Sequence, residues 1–226
     1  MMKALFPHLR ATRTATRNPE RSRERILRAA FQEFASNGFA GARVDSIAHR
    51  AAINKRMLYH YFGHKEDLFR EVLRRKMTER QSWTAATPDD PVESLPYWFD
   101  LARNDADWIR LLEWEALQFA GKRWIDEDSR RQAARAAAAH IRRRQQLGHL
   151  SKSFTPQHTL LAMIAVTWFP IAFPQLTRII TGRSTSDARF ISEQRGFLGR
   201  FAAAFRDGQR SALSTNHSHA IKRAKK

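Results

Sequence analysis

The chain has 226 residues, enough for one large domain or two small ones with a real core. Forty Lys and Arg against 22 Asp and Glu give a formal net charge of +18, while 42% hydrophobic residues exclude a disordered basic tail protein. Cysteine is absent, which excludes disulfide scaffolding, cysteine zinc sites and thiol chemistry. Leu5 and Phe6 are followed at once by Pro7, His8 and Arg10, so the N-terminus lacks the apolar stretch of a secretory signal. The expectation is a soluble, cytoplasmic protein with an anionic partner. The charge is unevenly placed: residues 1–86 carry net +10, residues 87–128 net −7 and residues 129–226 net +15. A basic first third suits phosphate binding, but charge alone does not choose among DNA, RNA and a membrane surface.

A basic arm, 1–19, carries Arg10, Arg13 and Arg17, and Arg21 and Arg23 continue it into the first helix; it either tracks a DNA minor groove or serves as a solubilising tail. Asn18-Pro19 then reads as a cap followed by proline at the first helical position. Ile26, Ala30 and Phe34 form one stripe beside Leu27 and Phe31, and Asn37-Gly38 ends the helix. Short helices follow from Val44 to about Arg50 and from about Asn54 to Tyr61. Gly63-His64 precedes a longer helix from Lys65 into the low eighties. Thr87-Pro88-Asp89-Asp90-Pro91 is the best domain boundary. Five further helices are expected at roughly 91–103, 105–120, 125–147, 156–181 and 187–206, then a basic tail over 209–226. The run from Leu160 to Phe173 is nearly all apolar. It is shorter than the ~20 residues a membrane span needs and is interrupted by Pro170 and Pro174, so it predicts a buried central helix. No strand alternation appears. The fold class is all-α.

The short helices within residues 20–62 form a helix-turn-helix, whose last helix enters the major groove and presents its N-terminal residues to base edges. Here that end reads Asn54, Lys55, Arg56, Met57. Asn54 suits the cap, and Lys55 and Arg56 reach guanine acceptors or phosphates. Tyr59, His60 and Tyr61 offer polar tips to phosphate oxygens, and Lys65 opens the next helix. Tyr59 and Tyr61 lie two apart and cannot share a face, so one points at DNA while the other supports the core. Phe62 is expected in the core.

The stretch from Arg25-Ile26-Leu27 through Ala29-Ala30, Phe34, Gly38-Phe39, Val44 and Ile47-Ala48 to Leu58-Tyr59-His60-Tyr61-Phe62 and Lys65-Glu66-Asp67-Leu68 closely resembles the tetracycline-repressor (TetR) family. The likeness covers residues 20–80, with the helix-turn-helix at 43–62. It implies an N-terminal three-helix DNA-binding domain followed, over 87–208, by a larger helical domain that binds a small effector and dimerises. It also implies base-facing or nearby positions for Lys55, Arg56 and Tyr59, and positions near phosphates for His60, Tyr61 and Lys65. Arg43 stands where the family usually has a capping Thr or Ser; it cannot cap with a side-chain oxygen but still reaches a phosphate, and is counted with the DNA-binding residues. Ala52 replaces the usual turn glycine, and His64 a common capping Ser.

In the second half, Trp108, Leu112 and Phe119 share a helical stripe that includes Glu115. A carboxylate among aromatics needs a partner, because an unpaired buried charge is very costly. Glu115 is either a pocket carboxylate for a cationic or hydrogen-bonding ligand or, as favoured here, half of a salt bridge to an Arg of the 125–147 helix. Trp98, Trp124, Met163 and Trp168 are further lining candidates for an apolar or amphipathic effector among residues 95–180, although such stripes are more often plain core. On the 187–206 helix, Phe190, Phe197, Phe201 and Phe205 suit the core. Ser192, Gly196, Gly199 and Ala203 make a small-residue stripe suited to a homodimer contact. No metal-ligand spacing, phosphate loop or nucleophile motif is present, so neither metal nor cofactor nor enzymatic activity is expected. The function expected is a dimeric, effector-released repressor of a palindromic operator in double-stranded DNA. The alternative is a nucleoid-type or constitutive DNA binder without an effector.

Overall fold

The computed structural model describes residues 19–118 and 124–204. Among them there are ten helices and no strand. The basic tail, all of the arm except Pro19, and Phe119 and Phe205 lie outside the described residues.

The first four helices are α1 (Pro19–Gly41), α2 (Val44–Arg50), α3 (Lys55–Phe62) and α4 (Lys65–Ala85). Helix α1 breaks where Asn37-Gly38 predicts: Gly38 has φ 67° and ψ 177°, and the chain resumes one short turn before α2. Apolar faces of all four helices converge on Ile26, Ala30, Phe34, Ile47, Leu58, Leu68, Phe69 and Leu73, each fully buried. Phe34 meets Phe69 edge to face with centroids 4.9 Å apart. Each large side chain in this cluster contributes about 1.5–3 kcal/mol by leaving water.

The remaining helices are α5 (Pro91–Asn104), α6 (Ala106–Gln118), α7 (Glu127–Gln146), α8 (Pro156–Ala172), α9 (Pro174–Thr181) and α10 (188–204). Asp90 caps α5 by accepting from the Val92 N–H at 2.9 Å, and Thr155 caps α8 by accepting from the His158 N–H at 3.3 Å. In both helices proline follows the cap, where its missing N–H costs nothing. Two residues of α6, Trp108 and Leu111, complete the core of the first four helices rather than that of the second half. A separate cluster joins Leu95 and Phe99 of α5 to Phe190, Leu198 and Ala202 of α10, with Met163 and Val166 of α8 against it.

Three expectations need correction. The single helix expected over 156–181 is two, α8 and α9, set at 89°. Phe173 between them has φ −121° and ψ 64°, and the proline ring of Pro174 disfavours the helical region for the residue before it. The apolar run is also not buried throughout, since Leu161, Ile164, Phe169 and Phe173 are exposed, as are Leu176, Ile179 and Ile180 of α9. No single helix among the described residues is long and apolar enough to cross a membrane. Finally, α10 is rotated from the expected register. Phe190 is buried, but Phe197 is 46% exposed and Phe201 only partly buried, while Leu198 and Ala202 fill the core. Gly199 lies over the Val92 carbonyl of its own chain, 3.5 Å from where a Cβ would sit, so it serves the contact with α5.

Candidate DNA-binding site

The α2–α3 unit is built by short-range hydrogen bonds. Ala52 N–H donates to the His49 carbonyl at 3.0 Å and Ile53 N–H to that of Ala48 at 3.0 Å, closing the turn. Ala52 takes the left-handed conformation that glycine usually fills, with φ 52°. The substitution leaves the turn intact and stores strain in it. Asn54 caps α3, its side chain accepting from the Met57 N–H at 2.7 Å. Arg43 at the start of α2 has no capping oxygen. Glu33, buried on α1, fills the gap by accepting the Arg43 N–H at 3.1 Å and lying 3.6 Å from the Arg50 guanidinium. In the same way Asp67 accepts the N–H of His64 at 3.2 Å at the start of α4.

These anchors leave one face of α3 in solvent. Asn54, Lys55, Arg56, Tyr59 and His60 are exposed, as is Arg43, whereas Leu58 and Phe62 point into the core. The guanidiniums of Arg43 and Arg56 have no hydrogen-bond or ion-pair partner within the described residues. Of the two tyrosines, Tyr59 is exposed and Tyr61 packs on the core with its ring near Phe62. Lys55 is engaged: its ammonium lies 3.0 Å from both carboxylate oxygens of Asp45 on α2. That hydrogen bond and the carboxylate charge raise the Lys55 pKa above its ordinary value. Lys65 is also engaged, donating to the Ala40 carbonyl at 3.3 Å and lying 5.0 Å from the centre of the Phe39 ring. Burial lowers its pKa. Lys65 therefore braces α4 against the end of α1. Asp45, Ser46, His49 and Arg50 line a shallow open groove beside this face.

The residues expected to line an effector site are not gathered in one place. Trp108, Leu112 and Trp168 pack on the first cluster and Met163 on the second, while Trp98 of α5 is half-buried with its ring near Tyr97. Trp108 and Trp168 do meet at one point: the Arg80 guanidinium of α4 lies 5.8 and 5.5 Å from their ring centres. Asp105, between α5 and α6, takes Arg80 at 3.4 Å and Lys76 at 3.1 Å. Glu115 is fully buried and held by both terminal nitrogens of Arg130 on α7, at 2.8 and 2.9 Å. It is thus the salt bridge favoured above, and Trp124 flanks the guanidinium at 5.1 Å. Ser192 is exposed, Ala203 half-buried, and Gly196 lies under the Arg200 side chain. Among the described residues no cluster of His, Asp and Glu is suited to a metal ion.

Sequence reasoning passed over Glu33, Asp45, Arg80 and Asp105. Only Asp45 left a local signal, as the sole acidic residue between 43 and 62.

Comparison with known proteins agrees with this geometry. Residues 26–72 match the bacterial regulatory proteins of the tetR family, and residues 96–211 match the tetracyclin repressor-like C-terminal domain. The HTH-type transcriptional repressor SCO4008 of Streptomyces coelicolor is 32% identical over 168 residues, covering 74% of this chain and 88% of that protein. The repressor NicS of Pseudomonas putida is 44% identical over 64 residues, 28% of this chain and 30% of that one. Among solved structures, the transcriptional regulator SCO4942 of S. coelicolor superposes with a TM-score of 0.68 at 26% identity, over 80% of this chain and 96% of its own. A regulator from Saccharomonospora viridis, solved in complex with choline, shares the fold at 20% identity with a TM-score of 0.59, over 80% of this chain and 95% of its own.

Proposed function

Because the chain belongs to the tetR family of bacterial regulatory proteins, which are DNA-binding transcriptional regulators and not enzymes, we propose that it represses transcription as a homodimer on a palindromic operator and is released by a small-molecule effector. The observation that carries the DNA reading is the exposed N-terminal turn of α3. Its cap is fixed, and Arg56 stands beside Lys55 and Tyr59 with no partner among the described residues. A rigid helix presenting free donors at its N-terminus is what reading guanine edges in a major groove requires.

The dimer rests on the seven large exposed apolar side chains that α8, α9 and the bend between them carry within residues 161–180. So much apolar surface in so short a stretch marks an interaction face, and a second copy covers it with an identical one. Two reading helices then stand one DNA turn apart, about 34 Å, or a multiple of it. Effector release has a ready lever in Arg80, because Trp108 of α6 and Trp168 of α8 both grip a residue of α4, the helix that follows α3. An apolar or amphipathic molecule entering beside these indoles shifts the head through that grip.

Selection of binding sites from a random duplex library tests this reading. The expected result is a palindrome whose preference is lost in Arg56→Ala. Equal affinity for selected and random duplexes at physiological salt would instead favour the nucleoid-type binder.

A further inference from the structure

We propose that Asp45 is a specificity-determining residue of the reading head, holding the Lys55 ammonium away from sequence-independent phosphate binding while leaving it available to a base edge. The proposal rests on the DNA-binding reading given above.

Lys55 is the first residue of α3, where the unpaired N–H groups of the helix start disfavour a cation. Asp45 sits in the first turn of α2, and its two oxygens both lie 3.0 Å from the Lys55 nitrogen. It is the only acidic side chain between residues 43 and 62, a stretch that otherwise offers Arg43, Arg50, Lys55 and Arg56. A carboxylate on a surface meant for a polyanion is opposed by electrostatics unless it contributes something else. With side-chain exposures of 74% for Asp45 and 48% for Lys55, the pair adds little to folding. Its effect therefore falls on binding.

An ammonium has three N–H donors, and Asp45 occupies at most two. The third remains free for a guanine O6 or N7, which are neutral acceptors and tolerate a compensated charge. A phosphate gains much less from the same ammonium, because the attraction is already met by Asp45. The pair thus lowers the affinity for every sequence alike more than it lowers the affinity for the sequence that places an acceptor in line.

The test measures salt dependence of binding to a random-sequence duplex and to a selected operator duplex. The proteins are the full chain, Asp45→Asn, Lys55→Gln and the double variant, with thermal melts to verify folding. Asp45→Asn should steepen the random-duplex slope by about 0.9 per protomer, as one phosphate contact is gained. Between about 50 and about 200 mM salt this is a further 3.5-fold loss of affinity per protomer. The ratio of operator to random affinity should fall. In the Lys55→Gln background, Asp45→Asn should leave the slope unchanged. An equal steepening in both backgrounds would show plain repulsion by Asp45 and overturn the proposal, as would an unchanged slope in Asp45→Asn alone. A full chain that binds neither duplex would remove the DNA reading and this proposal together. A full chain that binds while Asp45→Asn behaves identically removes the proposal only.

Discussion

Gly38 of α1 lies against the indole of Trp114 on α6, so close that a Cβ at position 38 would stand 2.8 Å from Trp114 Cε3. The same glycine carries φ 67°, a conformation that disfavours every other residue. Close approach and backbone thus demand glycine independently at the joint between the reading head and the second half. Gly38→Ala should destabilise by about 2 kcal/mol or more, from about 1–3 kcal/mol of strain in a backbone region essentially confined to glycine plus displacement of the indole. Gly41→Ala is the control: its nearest neighbour would be an ordinary 3.5 Å away, so its Tm should stay near that of the parent.

Ala52 predicts the opposite sign. It holds φ 52° with an exposed side chain, so Ala52→Gly relieves strain without opening a cavity. After the greater freedom of unfolded glycine is deducted, a gain of about 0.5–1 kcal/mol is expected. Denaturant unfolding at an unchanged m-value would show it, and a loss of stability would contradict it.

Glu115 and Arg130 form a pair whose halves cannot be removed separately. Glu115→Ala leaves the Arg130 guanidinium, only 16% exposed at its side chain, without its carboxylate. The cost expected is about 3 kcal/mol, or a fall in Tm of roughly 6–12 °C for a chain of this length. The double variant with Arg130→Ala should cost less than the sum of the two single changes.

Glu113 gives the stability a pH dependence of known sign. One of its carboxyl oxygens is buried with no hydrogen-bond partner among the described residues, and burial raises its pKa above the ordinary value of 4.5. A carboxyl raised on folding binds its proton more tightly in the native state. Its contribution is present below the unfolded pKa and is lost as pH rises through the folded one. Glu113→Gln should therefore gain Tm relative to the parent as pH rises above 4.5. A difference that is constant with pH would contradict this.

Ile179 and Ile180, 77% and 70% exposed on α9, test the dimer face. Ile179→Arg combined with Ile180→Arg should give monomers by sedimentation and weaken operator binding while the melting behaviour of the head persists. Gly199→Leu is a poor probe, since its side chain would press on Val92 of the same chain. A double variant that remains dimeric places the contact elsewhere.

The features readable in the sequence are those set by neighbours in the chain. Asn54 and Thr155 announce their caps because a cap oxygen reaches only two or three residues ahead. Asn37-Gly38 marks the break in α1 for a similar reason. What stayed hidden depends on partners distant in sequence. Glu33 serves the start of α2 from α1, and Arg80 meets Trp108 and Trp168 from three different helices. Along α10 the phenylalanine period was real, but two faces were apolar, and periodicity does not say which one turns inward. Leu198 and Ala202 took the core while Phe197 stayed outside. The proline pair around Phe173 was visible as an interruption, yet the 89° turn depends on how the following helix packs.

Trp108 and Leu111 belong to α6 by sequence and to the core of the first four helices by packing. The linker at 87–91 is therefore a seam in the chain but not in the molecule. A chimeric regulator spliced there would carry a head missing two core side chains, each costing about 2–5 kcal/mol to lose. Such a head joins a foreign second half only if the newcomer offers an indole and a leucine in the same places. For this chain, a splice at that linker therefore requires a donor whose α6 already matches the head it receives.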